Sequence, residues 1–322
     1  MRTLLALIVL SLALASNAGA QFVDDQGPDS SRLGPPKTVH LNVGVIIKAT
    51  GSPLINTTIL TPIPMDWPEQ MVTKIGEESS SHVQSIEFEE VTATAKRMVI
   101  RIPRMGPNET ARAMVTFEVR RRAILAPAAT DDYVAPKRKS RELRPFLDAS
   151  PYIETKRSQI RKVAREVVAD VDGDWRKVEA IYDWVRANVK YTRGPIKGAF
   201  AALKDGTGDC EELSSLIIAM CRINNIPART VWVPDHCYPE FYLTDKDGNG
   251  TWFPCQAAGT RAFGSIPEYR PILQKGDNFR VPELRELQRY VAEHVQIEDV
   301  PGGNKPEVSF IRDVISIPAT RR

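Results

Sequence analysis

The feature that most constrains this chain is a change of hydrophobic period partway along it. Before about residue 125, apolar side chains recur at every second position. Val39, Leu41, Val43, Val45 and Ile47 do so, as do Met98, Ile100 and Ile102, and Ala113, Val115, Phe117 and Val119. Such alternation puts one face of an extended strand in a core and the other in water. Gly51-Ser52-Pro53 and Gly106-Pro107-Asn108 are turn-forming breaks between the runs. Beyond residue 151 the spacing is helical. Ile160, Val163, Ala164, Val167, Val168 and Val171 form one stripe, and Val178, Ile181, Tyr182, Val185 and Val189 a second. Asp172-Gly173-Asp174 separates them, with Asp174 the expected N-cap. A third stripe, Leu213, Leu216, Ile217, Met220 and Ile223, stops at Asn224-Asn225-Ile226-Pro227. Short strands are expected over 230–233, 238–243 and 251–255, the last two joined by a turn at Asp247-Gly248-Asn249-Gly250. The expected class is α+β, an N-terminal antiparallel β-sandwich followed by helices packed on an antiparallel sheet.

The termini carry different signals. Arg2, the apolar stretch from Leu4 to Leu14 and Ala18-Gly19-Ala20 read as a cleavable signal peptide over 1–20, which makes the protein secreted or periplasmic. That apolar stretch is shorter than the ~20 residues a bilayer span requires, so no stable membrane span is expected. The remaining divisions are a flexible segment at 21–37, a β-sandwich-like domain at 38–125, a linker at 126–151, a core at 152–275 and a C-terminal extension at 276–322. Within that extension a helix is expected around 283–295 and a strand over 308–311. Forty-three Lys and Arg against 40 Asp and Glu leave a net charge of +3, too balanced to mark nucleic acid as a partner.

Of the 4 cysteines, none falls in a C-x-x-C pair, which argues against zinc-ribbon and thioredoxin-like chemistry. Asp245-Lys246-Asp247-Gly248-Asn249 lacks the distal glutamate of a calcium loop. No metal and no cofactor are expected. Cys210 is different from the other three, because it stands where the glycine-rich turn Gly206-Thr207-Gly208-Asp209 opens a helix. Unpaired N–H groups and the positive end of the helix dipole favour a thiolate there, although Glu211 and Glu212 oppose it. Gly206 and Gly208 leave room for a substrate backbone. His236 begins a later strand and shares a face with Tyr238, Glu240 and Tyr242. A cysteine and a histidine in this arrangement are the elements of nucleophilic catalysis. A hairpin symmetric about Lys246 sets His236 opposite Gln256, whose amide oxygen would orient the imidazole, and Cys237 opposite Cys255, which can form a cross-strand disulfide. Cys221, on the apolar stripe, is expected in the core, Trp232 and Trp252 beside the cleft, and Glu240 as a partner of Arg229.

Several short motifs together resemble the transglutaminase-like superfamily, over roughly residues 155–260. They are Trp184-Val185 and Tyr191, Gly208-Asp209-Cys210, Asn225-Ile226-Pro227-Ala228-Arg229, His236-Cys237-Tyr238-Pro239-Glu240 and Trp252-Phe253-Pro254-Cys255-Gln256. The resemblance implies a papain-type core, usually preceded by a β domain, with Cys210 as nucleophile and His236 as general base. Gly208, Asp209 and Trp232 would border the oxyanion site and cleft. Tyr238 stands where that family commonly has tryptophan, and Gln256 where it has aspartate. The implied activity is acyl transfer from a protein or peptide amide through a thioester, ending in peptidase, deamidase or crosslinking chemistry. The rival reading is a secreted binding or scaffolding protein that keeps the fold with impaired catalysis, for which Gln256 is the main support. The sequence leaves the oligomeric state open.

Overall fold

The computed structural model describes residues 32–316; the expected signal segment lies outside them. Two sheets build the N-terminal half. One is four-stranded in the order β14-β1-β6-β3, and the other contains β2, β4 and β5. Its members in chain order are β1 (Leu33–Lys48), β2 (Leu54–Ile63), β3 (Gln70–Ser79), β4 (Ser85–Thr92), β5 (Ala95–Met105) and β6 (Thr110–Ile124), with β13 (His294–Asp299) and β14 (Glu307–Ser316) returning from the C-terminus. The alternating residues do what their period requires. Leu41, Val43, Val45 and Ile47 meet Ala113, Val115, Phe117 and Val119 on one side and Met98, Ile100 and Ile102 on the other, in one buried cluster. β1 begins earlier than the alternation suggested. Residues 33–37, within the segment expected to be flexible, already pair with β6, Pro36 opposite Arg122 and Lys37 opposite Arg121.

The C-terminal residues complete this sandwich. β13 pairs with β2, and β14 pairs with β1 from Lys48–Glu307 to Val39–Ser316. The helix expected around 283–295 is absent: residues 283–293 run irregularly into β13. Leu284 and Leu287 are exposed, so a helix there would have no apolar face to bury, which is where most helical stability comes from. Specific bonds hold the segment instead. Arg97 forks onto Glu283 at 2.8 and 2.6 Å, and the Gln274 side chain pairs with the Val291 backbone.

The helical half contains α1 (Ser158–Glu166), α2 (Asp174–Asn188), α3 (Gly198–Asp205) and α4 (Cys210–Ile223), followed by β9 (Ala228–Val233), β10 (His236–Thr244) and β11 (Gly250–Pro254). Two short strands, β7 (Lys190–Tyr191) and β8 (Thr207–Gly208), pair in parallel ahead of α4. α4 is buried continuously from Glu212 to Arg222 and forms the axis on which α1, α2, α3 and the sheet pack. α1 stops at Glu166, short of the Val171 end of its stripe. Asp174 is the first residue of α2 and not its cap. Gly173 (φ 84°) takes the cap position, and the Asp174 carboxylate accepts from the Ala135 N–H at 2.8 Å, tying the 126–151 stretch to the helix.

The two halves share a sheet. β12 (Gln274–Lys275) sits between β9 and β5, so β11-β10-β9-β12-β5-β2-β13 is continuous, with β4 on β5. Lys275 is buried at this seam, 2.7 Å from Glu69 and 3.1 Å from Glu240, while Glu240 also takes Arg229 at 2.9 Å, the partner expected for it. Buried charges persist only when paired in this way.

Candidate active site

The N-terminus of α4 is built with unusual care. The Asp209 side chain accepts from the Glu211 N–H at 2.8 Å, and Glu212 accepts from the Asp209 N–H at 3.0 Å and the Lys197 N–H at 2.9 Å, a capping box. The preceding turn is strapped to α2's end. Lys190 N–H donates to Gly206 O at 2.8 Å, and Thr192 N–H to Gly208 O at 2.7 Å. Gly206 has φ 65°, the left-handed conformation that closes α3. Gly208 is buried, and a Cβ there would lie 2.5 Å from the Glu212 Cβ. Its smallness therefore serves the close approach of α4's first turn. Cys210, the first helical residue, is left half-buried at the mouth of a cleft.

β9 and β10 deliver the second group through a tight turn. Val233 pairs with His236, with Pro234 and Asp235 between them and Asp235 at φ 56°. The His236 imidazole hydrogen-bonds the Cys210 sulfur. Its Nε2 lies 3.1 Å from Gln256 Oε1, which leaves Nδ1 to face the thiol. Gln256 is itself pinned. Its N–H donates to Ala262 O at 2.8 Å, and its carbonyl accepts from Tyr182 Oη at 2.9 Å and Arg186 at 3.0 Å. Cys210, His236 and Gln256 thus stand in a chain of contacts.

The hairpin that carries Gln256 does not have the expected register. Glu240 pairs with Pro254 and Thr244 with Gly250, which centres the turn on Asp247 rather than Lys246. Gln256 reaches His236 from beyond the end of β11 and not from directly across. The same shift separates Cys237 from Cys255. Among the described residues all four cysteines are free thiols, so the expected cross-strand disulfide is absent. Cys255 faces the helical core beside α2 and α4, with Cys221 in the same cluster, whereas Cys237 points beneath the first turn of α4.

The electrostatics follow from these contacts. The Cys210 thiol is held down to about 4: the Cys237 S–H donates to its sulfur, His236 adds a hydrogen bond and a positive charge, and the Cys237 N–H donates as well, against the cost of burial. Burial works to lower His236, but the bonds to Cys210 and Gln256 raise it above the usual imidazole value. Opposite displacements of this kind favour a thiolate–imidazolium pair. Burial raises the neighbouring acids, Asp209 to about 6 and Glu211 to about 7, the latter partly offset by Arg289.

The cleft over Cys210 encloses about 810 Å³. Asp209, Trp232 and His236 line it, and Gly208 does not. Trp232 is fixed by its Nε1–H donating to Gly276 O at 2.8 Å, and Arg289 lies over its ring at 5.2 Å while pairing with Glu211. Trp252 is elsewhere, stacked on Arg229 at 3.9 Å and edge-on to Phe146. The opposite wall comes from residues no sequence pattern marked: Arg289, Tyr290, Glu293 and Arg312. They sit in the irregular C-terminal segment and in β14, without motif or periodicity to single them out. Among the described residues no group of His, Cys, Asp and Glu is arranged to hold a metal ion.

Residues 161–257 match the Transglutaminase-like superfamily. In structure the chain is similar to a candidate cysteine protease from Cytophaga hutchinsonii, with TM-score 0.61 and 19% identity over 90% of this chain and 94% of that one. That likeness extends the shared fold across the sandwich as well as the core. The periplasmic domain of TgpA from Pseudomonas aeruginosa matches at TM-score 0.33 and 12% identity, over 70% of this chain and 88% of that one. No curated protein matches the chain in sequence.

Proposed function

We propose that this chain, whose residues 161–257 carry a transglutaminase-like core, is an extracytoplasmic cysteine enzyme that transfers acyl groups from protein or peptide amides through a thioester. The observation that carries this reading is the contact chain from the Cys210 sulfur through His236 to Gln256 at 3.1 Å, open to the cleft. The Cys210 thiolate attacks the amide carbon. Imidazolium at His236 gives its proton to the departing amine, and backbone N–H groups at the mouth of α4 stabilise the oxyanion. Gln256 keeps the imidazole ring oriented by accepting from Nε2–H, the part an aspartate plays in related families. A neutral amide orients the ring without the added charge stabilisation, so the ion pair is less strongly favoured than a carboxylate would make it. Water then resolves the thioester, giving peptidase or deamidase activity; resolution by a lysine amine would give crosslinking.

Incubating the protein with a glutamine-containing peptide, with and without a labelled primary amine, separates these outcomes in one mass spectrum. Hydrolysis yields backbone cleavage or ammonia release, and transamidation yields amine incorporation. Gln256 also favours a second reading, a secreted binding module with the fold but without turnover. Iodoacetamide distinguishes them: fast labelling of Cys210 near neutral pH, slowed by His236→Ala, supports the enzyme. Slow labelling that is equal in both proteins supports the binding module.

A further inference from the structure

The residue that follows His236 is not used by this mechanism, yet its sulfur turns beneath the helix that begins at the nucleophile. Cys237 is fully buried on β10, paired opposite Trp232, and its side chain turns under α4 to lie 3.9 Å from Ser214 Oγ, one helical turn beyond Cys210. That places its sulfur beneath the turn of α4 that begins at Cys210, close enough for the two thiols to shift each other's acidity in opposite directions. Neither other thiol shares this position, since Cys221 and Cys255 are sealed in the helical core. Two sulfurs at one helix mouth, one open to a cleft and one closed off from solvent, have the layout of an attacking and a resolving thiol.

We propose that Cys210 and Cys237 form a reversible disulfide when a peroxide enters the cleft, with Cys210 as the oxidised thiol and Cys237 as the resolving one. The inference rests on the same reactive sulfur as the proposed function, but not on turnover. The Cys210 thiolate attacks one peroxide oxygen; the O–O bond breaks, leaving a sulfenic acid on Cys210 and a hydroxide that takes up a proton to become water. The Cys237 sulfur then attacks the sulfenic sulfur. The S–O bond breaks, and the hydroxyl leaves with the Cys237 proton as a second water. The sulfur pair loses two electrons, and the peroxide gains them. A dithiol returns both residues to thiols by exchange.

The surroundings fit each step. Only Cys210 is exposed to an oxidant, and only it is ionised at neutral pH, so peroxide is directed to one sulfur. Burial keeps Cys237 protonated, well above the ordinary thiol range, until the adjacent sulfur becomes electrophilic. A disulfide requires the sulfurs to close to ~2 Å. Cys210 is the first residue of α4, with no helical turn ahead of it to block a change of rotamer. Without a resolving partner, a sulfenic acid proceeds to sulfinic acid, which thiols do not reverse. Cys237 thus protects the nucleophile and switches it off for as long as the disulfide lasts.

Non-reducing peptide mapping of the full chain, after treatment with hydrogen peroxide and capping of free thiols, tests this directly. The expected product has lost the mass of two hydrogens, and its fragment ions join Cys210 to Cys237. Dithiothreitol should restore iodoacetamide labelling of Cys210. In Cys237→Ala the same treatment should leave sulfinic acid on Cys210, with labelling not restored. Overturning results are a wild-type protein that goes to sulfinic acid without the cross-link, or a cross-link from Cys210 to Cys221 or Cys255. The wild-type mapping decides the matter even if Cys237→Ala does not fold. Because no substrate is involved, an absent cross-link in an active protein sinks only the redox inference. A cross-link in a protein that processes no amide sinks only the proposed reaction.

Discussion

Helix α4 carries two cysteines that share a backbone and have opposite chemistry. Cys210, at its first position, is held down to about 4 by donors from β10 and by His236; Cys221, deep in the same helix, is pushed up to about 12 by burial, against the charge of Arg222. Both are packed among apolar residues, so hydrophobic environment does not distinguish them. The difference lies in what reaches each sulfur. At the helix mouth a neighbouring strand supplies hydrogen-bond donors and His236 a positive charge; three turns later every backbone group is already committed to the helix. The acidity of each thiol follows from its position, not from its residue type.

The comparison can be broken most severely at its reactive end. Cys210→Ala should abolish acyl transfer while leaving the thermal midpoint close to wild type, as read by peptide turnover and melting. Next comes His236→Ala, which should lower kcat by ~10²–10⁴-fold, the usual worth of a general acid–base. It also tests the sign of the thiol's displacement. Cys210 sits below the ordinary value, so its alkylation should persist as pH falls and fade only on approaching about 4. Loss of the imidazolium moves the thiol upward. For a shift of ~2 units, within the range for an adjacent opposite charge, alkylation at about pH 5 should drop about 10-fold. Gln256→Ala, which frees the imidazole ring, should reduce kcat by up to about 10²-fold with KM little changed. Gln256→Glu, an isosteric carboxylate, should instead raise His236 and extend the pH-rate plateau to higher pH. The smallest effect belongs to the inert sulfur: Cys221→Ala should leave turnover intact and cost about 1 kcal/mol of stability in a denaturant titration.

Much of this arrangement was readable in the chain itself. The alternation at Val39 to Ile47 and at Ala113 to Val119 predicted strands with the right buried faces, and the stripe from Leu213 to Ile223 predicted α4, because burial of one face is a local, periodic requirement. The succession of Gly208-Asp209-Cys210, His236 and Gln256 named the three side chains that meet. What it misjudged were matters of pairing. A symmetric hairpin put Cys237 against Cys255, but the observed register turns one sulfur toward the core and the other beneath α4 beside Ser214. The helix expected around 283–295 did not form, and Leu284 and Leu287 are left exposed there.

By itself, then, the order of residues determined the strand and helix faces and set Cys210 at the start of a helix and His236 at the start of a later strand. Tertiary structure alone decided that the C-terminal chain returns to both sheets of the sandwich, that Arg289 and Arg312 wall the cleft, and that Cys237 turns beneath α4 beside Ser214. The physical reason is the range of each interaction. Periodic burial and helix capping are settled within a few neighbouring residues, whereas strand register and wall-forming contacts depend on which distant surfaces can be buried together, and no local spacing encodes that choice.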